Sequence, residues 1–255
     1  MIKTVYKYLP PERKTYLSDG LLRFTPPSAL NDPYDALPGI SDEALEASFA
    51  LVKSKYSEVP EELQNLENDP SPFIEHFLKQ GMGKINNALG ILSLSENWNN
   101  PLMWSHYTDS HQGLCVGFDS RHSFFDVDKH GETKQGMIAL PVKYSDKRFV
   151  LTGKKMNKQD IHDFLYIKSM DWKYEKEVRV VSTLDKATKT VEVTPFNLSL
   201  FNVPHDAICE IVIGLRATQE IEEKAMCLAS ELSISLYKTV ISRQTFSLER
   251  ILVKY

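Results

Sequence analysis

The stretch at residues 171–184 reads DWKYEKEVRVVSTL and places two glutamates at the start of a valine-rich run. Side chains alternate between the two faces of a strand, so Glu175, Glu177 and Arg179 are predicted to project together, opposite the valines. One interpretation is a half-exposed strand whose charged face lies in water. The other is a pair of carboxylates held rigidly at a strand start, as catalysis requires. The rest of the chain has to separate the two.

The remaining sequence alternates between strand and helix patterns. Short apolar runs predict strands in TVYKYLP, LLRF, GILSLSE, GLCVGFD, MIALPVKYS, KTVEVTPF, AICEIVIG, SISLYKTVIS and RILVKY. Helical patterns cover PERKTYLSDG, stopped by Gly20, then NNPLMWSHYTD, NKQDIHDFLYIKS and a helix capped by Thr218. Residues 41–90 are also helical, with Ser41 and Asp42 as caps and Pro72 opening a second helix. We predict an α+β fold with a mainly antiparallel sheet, as a single domain over 1–255 with a helical insertion at 41–90.

Composition excludes several classes of protein. The chain has 255 residues, 42% of them hydrophobic, a formal charge of −4 and a pI near 6.0, so nothing attracts it generally to nucleic acid or membrane. The net charge does not exclude a local basic groove. The sequence lacks a long apolar run, a charged-then-apolar leader and the glycine-rich phosphate loops, which predicts a cytoplasmic protein without a Rossmann or P-loop site. Three cysteines without CxxC spacing predict neither disulfides nor a zinc knuckle, and Cys115 and Cys209 are predicted in the core.

Hydroxyls and aromatic rings are densest in SLSENWNNPLMWSHYTDSHQGLCVGF, residues 93–118. Ser93 and Ser95 alternate with leucines and are predicted on one strand face. The side chains that follow are either a packed core corner or a slot for a flat ring such as nicotinamide: Trp98, Trp104, His106, Tyr107 and His111. A metal site is disfavoured, because His106 and His111 are five residues apart and no carboxylate stands at ligand spacing.

The loop TPPSALNDPYD, residues 25–35, contains three prolines together with Asn31 and Asp32. Both polar side chains can bond their own backbone in an Asx-turn, which is a purely structural role. A stiff loop beside a strand end is also a common way to position a ligand, so the two residues are candidates for substrate binding.

Six segments resemble, in order, the bacterial family called domain of unknown function 2971. They are YKYLP, LLRFTPPSALNDPYD, LSLSENWNNPLMWSHYTDSHQGLCVGFD, VKYSD, KSMDWKYEKEVRVV and ICEIVIG. This resemblance runs almost end to end outside the helical part and implies no activity by itself.

A second resemblance, to ADP-ribosyltransferases, does imply chemistry. Those enzymes have an early strand with Arg or His, a Ser-x-Ser strand and a late strand opening with Glu-x-Glu, on a split antiparallel sheet. Here the landmarks are Arg23 or Lys7, then Ser93-Leu94-Ser95, then Glu175-Lys176-Glu177. The surroundings of the first landmark depart from the usual pattern.

The resemblance implies NAD as a consumed substrate, with no tightly bound cofactor and no metal. Glu177 would stabilise the oxocarbenium-like ribose cation, and Glu175 would orient or deprotonate the acceptor, a protein or nucleic acid. Arg23 would bind the pyrophosphate, Ser93 and Ser95 would shape the nicotinamide side, and Trp104 or Tyr107 would stack. The setting would be a toxin or phage defence. A non-catalytic nucleotide or nucleic-acid binding module and an intracellular hydrolase or nuclease, using His106 or His111, remain as alternatives.

Overall fold

A computed structural model describes residues 4–55, 74, 82–125, 137–152, 154 and 157–254. Its strands are β1 Thr4–Leu9, β2 Leu21–Phe24, β3 Gly39–Ile40, β4 Leu89–Ser95, β5 Leu114–Asp119, β6 Ala139–Pro141, β7 Lys143–Ser145, β8 Val150–Leu151, β9 Ile167–Ser169, β10 Glu177–Thr183, β11 Lys189–Val191, β12 Leu198–Asn202, β13 Ile208–Ile213, β14 Ser235–Ile241 and β15 Leu248–Leu252. Its helices are α1 Tyr16–Asp19, α2 Asp42–Lys55, α3 82–88, α4 Pro101–Tyr107, α5 Lys158–Leu165 and α6 Gln219–Leu232.

Two compact units divide the chain. The first comprises Met1–Thr25, Gly90–Val142 and Asp171–Tyr255, and the second comprises Pro26–Leu89 and Lys143–Met170. Among the described residues, the first unit forms an eight-stranded sheet in the order β15-β14-β13-β5-β1-β4-β10-β6. Antiparallel pairs dominate, with β13 and β14 parallel, so the predicted α+β class with a mainly antiparallel sheet is confirmed.

Both faces of the large sheet are covered. On β1, Val5 and Leu9 belong to the larger core, whereas Tyr6 and Tyr8 pack in a second cluster with Trp104. This split follows from the alternation of side chains along a strand. Helix α6 buries one stripe against the larger core, through Ile221, Ala225, Leu228 and Ala229. Their spacing of four, seven and eight residues is that of one helix face.

A smaller sheet of the first unit pairs β11, β12 and β2 in that order. Strand β12 has the sequence LSLFN, and its Leu200 lies opposite Arg23 of β2. This strand is missing from the sequence prediction, because five residues closely bounded by Pro195 and Pro204 give too short a periodic signal. It matters for function because β2 and β12 position side chains at the candidate site.

The second unit contains two short parallel strand pairs, β3 with β8 and β7 with β9, and helices α2, α3 and α5. Ser41 caps α2 as predicted, since its Oγ accepts a hydrogen bond from the Ala44 N–H at 3.2 Å. Lys168 and Asp35 form an ion pair at 3.5 Å in which both side chains are almost fully buried. The predicted helix start at Pro72 lies outside the described residues.

Three predictions need correction. MIALPVKYS is two strands, β6 and β7, interrupted at Val142, whose N–H bonds the Glu177 carbonyl at 2.9 Å. Thr218 stands at the N-cap of α6, but its side chain makes no cap hydrogen bond. Cys209 is exposed rather than part of the core, because a bulge between Ile208 and Glu210 shifts the alternation of β13. Among the described residues, no helix is long and apolar enough to cross a membrane.

Candidate functional site

The first unit contains all the candidate site residues except two. Asn31 and Asp32 belong to the second unit, where Asp32 is buried and Asn31 is exposed. The Asp32 carboxylate accepts a hydrogen bond from the Tyr34 N–H at 2.9 Å, which is the predicted Asx-turn. Asp32 thus has the structural role that the sequence predicted, and a ligand-binding role for either residue stays a prediction.

The two glutamates are fixed by backbone contacts to the end of β4. The Ser95 hydroxyl donates to the Glu175 carbonyl at 2.5 Å, and the Glu96 N–H donates to the Lys176 carbonyl at 3.0 Å. Between the glutamates, Lys176 adopts a positive φ of 43°, a conformation that non-glycine residues seldom adopt. Glu175 therefore ends the 3-10 helix Met170–Glu175 and Glu177 begins β10.

Glu177 and Arg179 form a buried ion pair on one face of β10. The Arg179 Nε and Nη2 donate to the two carboxylate oxygens of Glu177 at 2.8 and 3.0 Å. Glu175, Glu177 and Arg179 are only 3%, 4% and 0% exposed. The interpretation of a half-exposed strand with its charged face in water is therefore wrong, because these charges lie inside the molecule.

Tyr107 joins the glutamates to helix α4. Its hydroxyl donates to the Glu175 carboxylate at 2.5 Å. The helix itself is held to the same segment, because Asn100 caps its N-terminus and donates from its amide to the Tyr174 carbonyl at 3.2 Å. The orientation of Glu175 thus depends on both α4 and the 3-10 helix.

Lys7 on β1 is one of the two cations predicted as the first landmark, the other being Arg23 on β2. Its Nζ donates to the Ser93 carbonyl at 2.9 Å, so it spans from β1 to the Ser-x-Ser segment of neighbouring β4. Burial lowers the pKa of Lys7 to about 8, an effect that the negative charges of Glu177 and Glu175 partly oppose. The interaction shows that the lysine lies within electrostatic range of both glutamates.

A cavity of about 710 Å³ opens beside this cluster. It lies within the first unit and is lined by Lys7, Tyr8, Leu9, Pro10, Glu12, Arg13, Leu22, Arg23, Thr25, His106, Tyr107, Asp109, Leu198 and Leu200. Small-molecule pockets typically have volumes of roughly 300–1,000 Å³, so the cavity can take a nucleotide-sized ligand. Its walls combine aliphatic and aromatic surface with three cations.

Arg23 and Arg13 line this cavity from two different elements. The Arg23 Nε is buried without a hydrogen-bond partner among the described residues. Burial, followed by the charge of Arg13, lowers the pKa of the Arg23 guanidinium. Arg13, in the 3-10 helix Pro11–Thr15, donates to the Leu21 carbonyl at 2.9 Å.

The aromatic stretch is divided between core and cavity. Trp104 is 0% exposed, donates its indole N–H to the Trp98 carbonyl at 2.6 Å and packs edge-on against Tyr8. His111 stacks on Trp104, and burial, followed by the positive charge of Arg216, lowers its pKa. The core-corner interpretation therefore describes Trp104, whereas Tyr107 and exposed His106 face the cavity. No group of three metal-ligating side chains occurs in the part of the chain that the structure describes.

Sequence reasoning gave too little weight to two residues of the site. Lys7 was named only as an alternative to Arg23, and Arg13 was not named at all. The sequence around Lys7 does indicate a special position, because Lys7 lies between Val5 and Leu9 on the same face of β1 and interrupts that apolar face. The sequence around Arg13 gives no such indication, since it is a short polar segment in which the neighbours, Glu12 and Lys14, look equally exposed. Only the return of the chain through β2 and β12 makes Arg13 part of a cavity wall.

Comparison with known proteins identifies a family but no activity. Residues 103–180, which include most of α4, all of β5 and both glutamates, match the family described as protein of unknown function (DUF2971). Neither the curated proteins nor the solved structures gave a match. The match confirms, over these residues, the family resemblance that the sequence predicted.

Proposed function

We propose that the first unit is an NAD-consuming enzyme of the ADP-ribosyltransferase type. One observation carries the proposal. Strands β1, β4 and β10 are neighbours in the sheet, and they bring the Ser93–Ser95 segment and the Glu175–Glu177 turn close to Lys7, which lines the cavity. The order of these landmarks along the chain is the one that the resemblance implies, with Lys7 rather than Arg23 on the early strand of the sheet.

The proposed reaction breaks the bond between the ribose C1′ and the nicotinamide nitrogen. The bonding electron pair moves to the pyridinium ring, and the ribose develops oxocarbenium character that a fixed carboxylate stabilises. Glu177 is suited to this role, because two hydrogen bonds from Arg179 hold its carboxylate rigidly. An acceptor nucleophile then bonds to C1′ and loses its proton to Glu175 or to water.

Tyr107 and Tyr8 are the aromatic side chains that line the cavity. Trp104, with no exposed surface, supports them from behind rather than offering a stacking face of its own. In this proposal Tyr107 has a positioning role as well, because its hydroxyl fixes the Glu175 carboxylate. Trp104 therefore contributes to binding only through the placement of its neighbours.

The test is nicotinamide release from NAD by the purified protein, measured with and without cell lysate as a source of acceptor. We expect release by the native protein and a loss of at least about a hundredfold in Glu177→Gln, the scale of removing one electrostatic stabiliser. Because that variant removes the carboxylate that pairs with buried Arg179, it also risks losing stability. Glu175→Gln is the second variant, since its amide oxygen can still accept from Tyr107.

Glu220→Gln is the matched control, because Glu220 is an exposed carboxylate of α6 paired with Lys14. Turnover that is unchanged in folded Glu177→Gln and Glu175→Gln would sink the proposal. Equal losses in all three variants would point to a general effect of losing a carboxylate and would also count against it.

A second candidate is a non-catalytic nucleotide-binding module. The observation in its favour is that neither glutamate lines the cavity, and that Glu177 is engaged by Arg179. This function requires nucleotide binding to persist in Glu177→Gln, with no nicotinamide released by the native protein in either condition.

A further inference from the structure

The cavity gathers three cations from three separate elements. Lys7 comes from β1, Arg13 from the following 3-10 helix and Arg23 from β2, and all three line the same space. Arg13 lowers the pKa of both Lys7 and Arg23, so the three positive charges lie within electrostatic range of one another. Like charges placed together in a partly dry cavity repel, and this repulsion is relieved when an anion binds between them.

The carboxylates near these cations offset their positive charge only in part. Glu12 and Asp109 also line the cavity but are exposed, so water screens their charges. Glu177 is paired with Arg179, and Glu175 accepts from Tyr107. In addition, the Arg23 Nε is a buried donor without a partner among the described residues, although buried donors are normally satisfied. An acceptor from outside the chain would satisfy it.

We infer that Lys7, Arg13 and Arg23 form a subsite for the diphosphate of a dinucleotide or of ADP-ribose. Guanidinium groups bind phosphate oxygens through parallel N–H donors, and a lysine adds a point charge. The remaining wall suits the attached nucleoside, because Tyr8 and Tyr107 offer rings and Leu22, Leu198 and Leu200 offer aliphatic surface. The identity of the ligand rests on the proposed function, whereas the subsite itself requires no catalysis.

The subsite has a built-in dependence on pH. Lys7 faces Glu177 of β10, Glu175 before it, Arg13 after β1 and Arg23 of β2, with His106, Tyr107 and Asp109 on the α4 side of the cavity. Its amine loses its proton near pH 8, whereas both arginines stay charged. One of three positive charges is therefore lost as the pH rises through about 8.

The experiment is calorimetric titration with ADP-ribose, whose esterified diphosphate keeps its charge from neutral to alkaline pH, beside adenosine, which lacks phosphate. We expect ADP-ribose to bind and adenosine to bind at least about tenfold more weakly, because adenosine cannot form the charge-assisted hydrogen bonds to the three cations. Arg23→Ala and Arg13→Ala should each weaken ADP-ribose binding about tenfold or more, and Arg23→Lys by less. Arg121→Ala is the matched control, because Arg121 is exposed and bonded to Asp119.

Lys7→Met tests the pH dependence with a side chain of similar size. Native affinity should fall about tenfold between roughly pH 7 and pH 9, and the variant should be weaker at pH 7 with no such fall. Equal affinities in Arg23→Ala and Arg121→Ala, or adenosine binding as tightly as ADP-ribose, would overturn the subsite. The assigned ligand would be overturned if an oligonucleotide that lacks a diphosphate displaced ADP-ribose while present at a lower concentration than ADP-ribose.

The two proposals fail in different ways. Binding of ADP-ribose that depends on Arg23, without nicotinamide release from NAD, would support the subsite and defeat the proposed enzyme. Nicotinamide release that is insensitive to Arg23→Ala and Arg13→Ala would support the enzyme and defeat the subsite. Thermal melting of each variant shows whether a loss of binding or turnover reflects a loss of folded protein.

Discussion

Lys7 is a cation placed on the apolar side of a strand. Its neighbours two residues away, Val5 and Leu9, both belong to the larger core. Burial is the largest influence on its pKa and lowers it to about 8, so the charged amine is held in the folded state at a free-energy cost. Such a cost is usual where a charge serves a ligand rather than the fold.

This residue yields a prediction on stability. An unfolded lysine titrates near about pH 10.4, so between pH 8 and that value the unfolded chain binds more protons than the folded one. The charged Lys7 therefore lowers the free energy of unfolding at low pH. This destabilisation becomes smaller as the pH rises through the window. Lys7→Met should be more stable than the native chain by about 1–3 kcal/mol near neutral pH.

Urea unfolding of both proteins, from neutral pH to about pH 10, measures this difference. The gap should narrow toward the alkaline end, since the amine is then neutral in the folded chain and the pH approaches the pKa of the unfolded lysine. A gap that stays constant across the series would show that Lys7 is not destabilised by burial.

At the scale of single residues, the sequence predicts which charged side chains pair, but not how the backbone turns before β10. The alternation along β10 correctly places Glu177 and Arg179 together, and the two form the buried ion pair. The rule does not extend to Glu175, which lies outside β10, because Lys176 turns the backbone with a positive φ just before the strand begins. No propensity of Lys announces that turn, which is imposed by the bonds from Ser95 and Glu96.

Among the elements, α4 has the most influence on the site. It carries His106 and Tyr107 into the cavity wall, and its N-terminus is held by Asn100. The Asn100 side chain accepts from the Leu102 and Met103 N–H groups and also donates to Tyr174. One residue thus fixes both the helix start and its contact with the segment that bears Glu175.

Asn100→Ala should lower the free energy of unfolding by about 1–2 kcal/mol, the usual effect of losing an N-cap. Thr218→Ala is the matched control, because Thr218 stands at an N-cap without making a side-chain bond. We expect a change of less than about 0.5 kcal/mol there. Equal destabilisation of the two variants, measured by denaturant titration, would contradict the assigned role of Asn100.

The loop after α4 is fixed by close backbone contacts rather than by side chains. A Cβ on Gly113 would lie 2.0 Å from the Leu9 carbonyl oxygen, and one on Gly214 would lie 2.3 Å from that of His111. Three consecutive residues of this loop, Asp109, Ser110 and His111, have positive φ. Sequence reasoning placed α4 and β5 correctly, but this connection depends on contacts distant in sequence and lies beyond local propensity.

The whole molecule consists of two compact units, and the candidate cavity belongs to the first alone. A ligand that binds only the folded state stabilises it by about 2.7 kcal/mol at a hundredfold excess over its Kd. ADP-ribose should therefore raise the Tm by several degrees, since each kcal/mol is worth about 2–4 °C in a chain of this size.

Differential scanning calorimetry measures this effect, with Arg23→Ala as the variant that should show little shift. If the two units melt in separate transitions, only the transition of the first unit should move. A shift confined to the other transition would place the binding site outside the cavity.

The fold class was readable from the sequence because apolar periodicity is a local property that most of these strands display. The division into units and the cavity were not, because both arise from segments far apart in the chain. Asn31 and Asp32 illustrate the limit. The sequence correctly predicts the Asx-turn of Asp32, but it does not show that the two residues belong to a second compact unit.

The tryptophans give the molecule an optical property of practical use. The chain has three, Trp98, Trp104 and Trp172, and all belong to the first unit, in segments that hold α4 and the glutamate turn. Trp104 is sealed from water, and Trp98 lies under the guanidinium of Arg250, 4.7 Å from its ring centre. Tryptophan fluorescence, excited at wavelengths that tyrosine does not absorb, therefore reports on the first unit alone, so its quenching or spectral shift follows events near the cavity without any attached label.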